Sequence, residues 1–323
     1  RITMNLGKKI TIIIRLIAPI FALFILLLLF IYHFDLRQKA AISRAHLDVS
    51  EQVSKRTVSK NPQVKIGLAL GGGGAKGFAH IGVIKVLQEN HIPIDVVTGT
   101  SAGSVVGVLY AYGFSAYGLQ RILKDVGFSL MDFGFSLNGF IRGKKIRELI
   151  NKNIHYLPIE QLPIKFGAVA TEFSSGKATL FTRGDAGQAV QASSSIPAIF
   201  QPTIIRSRMY VDGGLSEPIP VKQARRLGAK IVIAVDISSS VQPTGSFYQP
   251  TSWFSTIDQS VNILINKLVQ EESKQANVVI RPDLEGASFF NFFSMSSAIR
   301  AGEEATRRKL PQIKAAIRQA QYQ

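Results

Sequence analysis

The sequence has no cysteine, which excludes disulfides, thiolate metal sites and a cysteine nucleophile. It does not fix a compartment, because exported proteins can manage without disulfides. Histidine is scarce too: only His33, His46, His80, His91 and His155 occur. Acidic residues number 21 against 38 Lys and Arg, so the formal net charge is +17. Residues 1–60 hold ten basic and three acidic residues, and the remaining excess is spread over the rest of the chain. Such a field favours an anionic partner, either nucleic acid or an anionic membrane surface. No nucleic-acid motif is present, nor any internal repeat, and the one Ser/Pro/Gly-containing stretch, 238–252, reads as a loop.

The 19 residues 16–34 contain no Asp, Glu, Lys or Arg. At about 1.5 Å per residue they nearly cross a hydrocarbon core of roughly 30 Å, so a transmembrane helix is expected. Its rivals are a buried core helix and a cleaved signal peptide, but no small-residue cleavage site follows at once. Arg1, Lys8, Lys9 and Arg15 precede the span, which favours a cytoplasmic N-terminus and places the remainder outside the cytoplasm. The chain is thus read as a basic tail over 1–15, a membrane helix over 16–34, a polar connector over 35–63 and a globular domain over 64–323.

From Val64 onwards short apolar runs alternate with helical spacing. Strands are expected at 65–70, 95–99, 166–171, 178–181, 209–211, 231–236 and 278–280, with helices over 77–90, 102–112 and the last thirty residues. Strand, helix, strand, helix implies an α/β fold with a mostly parallel sheet and helices on both faces.

Three motifs carry chemistry. Gly99-Thr100-Ser101-Ala102-Gly103 fits the G-x-S-x-G nucleophile elbow, between a strand and a helix where that motif belongs. The competing reading is a glycine-bounded turn with a serine N-cap. Gly71-Gly72-Gly73-Gly74-Ala75-Lys76-Gly77 also follows a strand, and its bare amides suit a phosphate or an oxyanion. It is not a Walker loop, since Lys76 precedes Gly77 and no Ser or Thr follows. Gly72, Gly74 and Gly77 formally match a dinucleotide fingerprint, but the acidic residue this would need, Asp95, falls at the start of the second strand. Asp212-Gly213-Gly214 is a turn signal whose carboxylate can also act as a base. No histidine follows Asp212 and only His155 follows Ser101, which disfavours an ordinary Ser-His-acid triad and leaves Asp212 as the candidate base.

Together these residues identify a resemblance. GGGGAKGFAHIGV and IPIDVVTGTSAGSVVG within 65–114, SSSIPAIFQP at 193–202, VDGGLSEPIPV at 211–221 and ARRLGAKIVIAVDIS at 224–238 resemble the patatin-like phospholipase family, and within it bacterial proteins related to the esterase domain of neuropathy target esterase. The likeness extends over roughly 64–310. It implies a three-layer α/β/α fold with a central mostly parallel sheet, here with one N-terminal transmembrane helix in addition. It implies a serine hydrolase of lipid acyl esters, of phospholipase A or lysophospholipase type, working through a Ser-Asp dyad and an acyl-enzyme, with Ser101 as nucleophile and Asp212 as base. The amides of Gly72, Gly73 and Gly74 would form the oxyanion hole, supported by Lys76, Gly77, Gly99, Gly103, Gly213 and Gly214. Lys76 stands where the family often has Arg, keeping the charge without the planar bidentate geometry. His80 and Ser193–Ser195 fall in matching segments with no chemical role assigned.

No cofactor or metal is implied. The expected partners are a phospholipid or lysophospholipid substrate and a membrane, bound through the N-terminal helix and the basic surface, with no nucleic acid. The expected location is a bacterial inner membrane, spanned once, with the catalytic domain on the non-cytoplasmic side. Two other classes remain open: a membrane-tethered module that binds an anionic ligand without turnover, and an NAD-dependent oxidoreductase using the glycine loop.

Overall fold

The structure is a computed structural model that describes residues 64–124, 141–238, 253–284 and 295–322. The tail, membrane helix and connector expected over 1–63 lie outside the described residues. Among the described residues no helix is long and apolar enough to cross a membrane.

The sheet is built from β1 (Ile66–Leu70), β2 (Val96–Thr100), β3 (Lys165–Glu172), β4 (Ala178–Phe181), β5 (Thr203–Ile205), β6 (Arg208–Asp212), β7 (Ile231–Val235) and β8 (Val278–Ile280). β1, β2 and β7 are buried along their whole length, as the sequences IGLAL, VVTGT and IVIAV require of strands covered on both faces. Parallel pairing joins β3, β2, β1, β7 and β8 in that order. β4, β6 and β5 add antiparallel pairings at the β3 side, so the sheet is mixed, with a parallel centre. The expectation of a mostly parallel sheet thus holds for the centre and fails at this edge.

Helices α1 (Ala79–Glu89), α2 (Ala102–Tyr112), α3 (Ala116–Leu123), α4 (Lys144–Asn153), α5 (Ala186–Ser193), α6 (Val221–Arg226), α7 (Trp253–Ser273) and α8 (Met295–Gln321) complete the layers. Along β1 the side chains alternate: Ala69 joins Ile219, Val221, Ala224, Val232 and Val269 beneath α6 and α7, while Leu70 points to the opposite face, towards Gly107 of α2. On that opposite face α1 crosses α8 with backbones in close approach, because Gly82 and Gly302 carry no Cβ to hold them apart. The expected helix over 77–90 is shorter, since Gly74–Phe78 forms a 3₁₀ turn that feeds α1. α3 and α5 open on caps, Ser115 accepting from the Gly118 N–H and Asp185 from that of Gln188.

The pairing along β3 decides where the chemistry sits. β2 pairs with β3 as far as Thr100 opposite Val169, and β6 pairs with β3 from Asp212 opposite Ala170. β4 takes the other edge of β3, opposite Ala168–Thr171. β2 and β6 therefore lie end to end on one edge of β3 and run towards each other.

Candidate active site

Ser101 follows β2 and opens α2 with φ 52° and ψ −122°, a left-handed φ that a non-glycine residue holds at a cost of order 1–3 kcal/mol. Packing enforces it. A Cβ on Gly99 would come within 2.6 Å of the Ser104 Cα, and one on Gly103 within 2.7 Å of the Gly71 carbonyl oxygen. The Ser101 N–H donates to Ser193 Oγ at 2.9 Å, and that hydroxyl donates to the Val169 carbonyl at 2.6 Å. The Ser101 carbonyl accepts from the Ser104 N–H and Oγ at 2.8 and 2.7 Å. Ser193 sits at the end of α5, so a residue without an assigned role proves to brace the elbow.

Asp212 ends β6. Its N–H donates to the Ser195 carbonyl and its own carbonyl accepts from Thr171 Oγ1, both at 2.8 Å. Oδ1 accepts from the Gly214 N–H at 2.7 Å. Gly213 slots between Thr100 and Val169, where a Cβ would lie 3.1 Å from Thr100 Cγ2. Oδ2 is buried and has no hydrogen-bond partner among the described residues. Burial pushes the carboxyl up to about 6, opposed by the Ser101 hydroxyl and the Gly214 N–H. The Ser101 hydroxyl thus favours the ionised form, although no hydrogen bond to Oδ2 forms among the described residues.

The glycine strip is held from both sides. The Gly71 N–H donates to the Val235 carbonyl at 3.0 Å, and His80 Nε2–H donates to the Gly71 carbonyl at 2.8 Å. His80 is fully buried, its Nδ1 is unpartnered, and burial pushes its pKa down to about 4 against the opposing Gly71 bond, so the ring is neutral at pH 7. The Gly72 N–H donates to the Pro218 carbonyl at 3.0 Å. This corrects the expectation that Gly72 is an oxyanion donor: its amide is already committed, and its role is steric, since a Cβ there would meet the Ser101 Cβ at 3.2 Å. Among the described residues no hydrogen bond uses the Gly73 or Gly74 N–H, so these two amides remain available to an oxyanion. Gly77 packs behind the elbow, where a Cβ would lie 2.7 Å from the Ala102 Cβ.

Lys76 is buried in the 3₁₀ turn, where burial lowers its pKa and the Asp236 carboxylate raises it. Asp236 also accepts from Arg281 Nε at 2.9 Å, so Lys76 belongs to a charge cluster at the end of β7. The same Pro218–Ile219 peptide that holds Gly72 donates its N–H to Glu272 Oε2 of α7 at 2.6 Å. Burial pushes Glu272 up to about 8, opposed by that N–H and reinforced by the Glu217 charge, leaving it mainly protonated at pH 7. Nothing in the sequence around Glu272 signals this link, because its partners come from a distant loop.

Two further observations narrow the chemistry. Asp95 Oδ2 accepts from the Ile66 N–H at 2.8 Å, at the start of β1 and β2 and hence the opposite end of the sheet from the glycine loop. It cannot reach a ribose bound at that loop, which removes the support for a dinucleotide site. A cleft of about 620 Å³ lined by Arg142, Arg147, Gln188, Gln191 and Thr203 contains neither Ser101 nor Asp212. Ser195, hydrogen-bonded to Thr203 at 2.9 Å and to the Asp212 N–H at 2.8 Å, stands between that cleft and the carboxylate. No cluster of metal-ligating residues occurs among the described residues.

Residues 68–225 match the family model described as patatin-like phospholipase. An uncharacterized NTE family protein of Mycobacterium tuberculosis is 33% identical over 208 residues, 62% of this chain and 58% of that protein. Lysophospholipase NTE1 of Kluyveromyces lactis is 29% identical over 266 residues, 73% of this chain and 18% of that protein. The match therefore spans less than two thirds of either relative. The crystal structure of VipD from Legionella pneumophila superposes with a TM-score of 0.50 at 14% identity, covering 77% of this chain and 67% of that one, a likeness of fold.

Proposed function

Because this chain carries a patatin-like phospholipase domain over residues 68–225, we propose that it is a serine hydrolase of lipid acyl esters, of phospholipase A or lysophospholipase type, in which Ser101 and Asp212 form the catalytic dyad. The observation that carries this reading is the buried Asp212 carboxyl at the junction of β2 and β6, its Oδ2 without a hydrogen-bond partner among the described residues and its ionised form favoured by the Ser101 hydroxyl.

Ser101 Oγ attacks the ester carbonyl carbon while its proton passes to Asp212 Oδ2. The carbonyl oxygen becomes an oxyanion facing the Gly73 and Gly74 N–H groups. Collapse of the tetrahedral adduct breaks the acyl–oxygen bond, and Asp212 returns the proton to the departing alcohol oxygen. Water then attacks the acyl-Ser101 ester, giving its proton to Asp212, and the second collapse restores the Ser101 hydroxyl and releases the fatty acid. An ordinary surface aspartate is a weak base, whereas a carboxyl pushed up to about 6 is matched to work near neutral pH and remains mostly ionised there.

In the same reading the apolar stretch 16–34 anchors the protein in a bacterial inner membrane, with the catalytic domain on the non-cytoplasmic side. The charge distribution around that stretch supports the orientation. A reporter active only outside the cytoplasm, fused to the C-terminus, tests it: an inactive fusion of normal abundance refutes the topology.

A fluorophosphonate probe tests the chemistry. Labelling should be lost in Ser101→Ala, and phospholipid turnover should be lost in both Ser101→Ala and Asp212→Asn. A folded parent protein that takes up no probe, or an Asp212→Asn variant that still turns over, would overturn the proposal.

A further inference from the structure

β5 and β6 form a hairpin whose two turn residues, Arg206 and Ser207, both have positive φ, 48° and 64°. Such a turn is normally filled by Asn and Gly, which adopt that conformation cheaply. Here the hairpin keeps an exposed arginine in it. Ile204 and Met209 are cross-strand partners on one face, 63% and 37% exposed. The adjoining β3–β4 turn adds Phe173, 61% exposed, whose N–H donates to the Met209 carbonyl at 2.9 Å. These two tips lie side by side beyond the C-terminal end of β3, the end of the sheet at which Ser101 opens. From Asp212 to Arg208 the strand extends about 13 Å past the dyad at its normal rise.

The charges at the tips are Lys177, Arg206 and Arg208, all exposed, against the single carboxylate of Glu172, which pairs with Arg208 at 3.2 Å. Among the described residues Lys177 and Arg206 have no ion-pair partner. Exposed apolar side chains flanked by unpaired cations match an anionic lipid surface, where the cations meet head groups and the apolar groups enter the interface.

We propose that the β5–β6 hairpin tip, together with the β3–β4 turn, is a docking surface for an anionic phospholipid bilayer, holding the mouth of the site against the lipid. It rests on the hydrolase reading only for the choice of lipid as partner. It is distinct from the stretch 16–34: that stretch would hold the chain to any bilayer, whereas the hairpin would set how the site faces it and would respond to lipid charge.

The native chain has no cysteine, so a single dye can be placed without background. Full-length Ser207→Cys carrying an environment-sensitive fluorophore is reconstituted into phosphatidylglycerol or phosphatidylcholine vesicles. Lys230→Cys, exposed at the opposite end of the sheet, is the control. The label at 207 should shift to the blue in phosphatidylglycerol and not in phosphatidylcholine, and the label at 230 should shift in neither. Lys177→Glu with Arg206→Glu should weaken the response by roughly tenfold or more. The same pair should slow hydrolysis of vesicle phospholipid while leaving cleavage of a monomeric short-chain ester unchanged. A water-like label at 207 on phosphatidylglycerol, or equal shifts at 207 and 230, would overturn the docking surface. Loss of the hydrolase reading appears separately, as a parent protein that does not cleave the monomeric ester, because the dye response needs no turnover.

Discussion

Replacing Asp212 by Asn should abolish turnover and make the protein more stable. The carboxyl moves from an ordinary value of 3.8 to about 6 because folding strips water from it. At about 1.36 kcal/mol per pKa unit, holding the ionised group in the site costs roughly 3 kcal/mol at pH 7.5. A folded-state pKa above the unfolded one means that the native state binds the extra proton. The stabilisation from that proton is complete below 3.8 and is lost as the pH rises through 6. Asn keeps an oxygen for the Gly214 N–H and puts an NH₂ where the Ser101 hydroxyl can accept from it, so most of the 3 kcal/mol should return, about 1–3 kcal/mol after imperfect fit. For a domain of this size that is several degrees in Tm. Thermal melts of both proteins at pH 7.5 and pH 5 measure it: the gap should fall to about half at pH 5, where the parent is largely protonated. A variant that melts below the parent at pH 7.5, or a gap independent of pH, would show that desolvation does not govern Asp212.

The kcat/KM profile of the parent should rise with pH through an apparent pKa near 6 and then level off, since Asp212 must be ionised to accept a proton; a profile falling through that range would exclude it as base. His80→Leu should orphan the Gly71 carbonyl and loosen the strip that bears the oxyanion donors, lowering kcat about 10- to 100-fold with little change in KM and slowing fluorophosphonate labelling in parallel. His80→Gln, which can still donate to that carbonyl, should recover most of the loss; no recovery in a folded Gln variant would make His80 a packing residue only. Ser193→Ala removes the group that satisfies both the Ser101 N–H and the Val169 carbonyl, and urea unfolding should show a loss of about 1–3 kcal/mol. A change under 0.5 kcal/mol would mean the elbow holds itself.

The local parts of this site were legible and the long-range parts were not. Strand-turn-helix around Ser101 follows from apolar runs broken by Gly99 and Gly103, a pattern contained within a dozen residues. The absence of a histidine after Asp212 makes its carboxylate the candidate base from sequence alone. By contrast, the commitment of the Gly72 amide to Pro218 depends on a loop far along the chain, so equal-looking glycines at 72, 73 and 74 had unequal roles. The hairpin partner strand Thr203–Ile205 is only three residues long and too short to show a period. The same limit hid the raised basicity of Asp212, which comes from burial by tertiary neighbours; Asp-Gly-Gly alone reads as an exposed turn.

The end-to-end meeting of β2 and β6 on β3 bears on when the proposed dyad is assembled. A slip of one residue between β6 and β3 would move the carboxylate by about 3.3 Å and turn it to the other face of the sheet. On the proposed reading, catalytic competence is a readout of strand register, set by the pairing of Ala170 with Asp212 across a loop that must first close. A nascent chain that ends before residue 208 holds a finished serine elbow and no base. During synthesis the hairpin leaves the ribosome before β7 (Ile231–Val235), so the proposed base can seat on β3 before β1 gains its second neighbour.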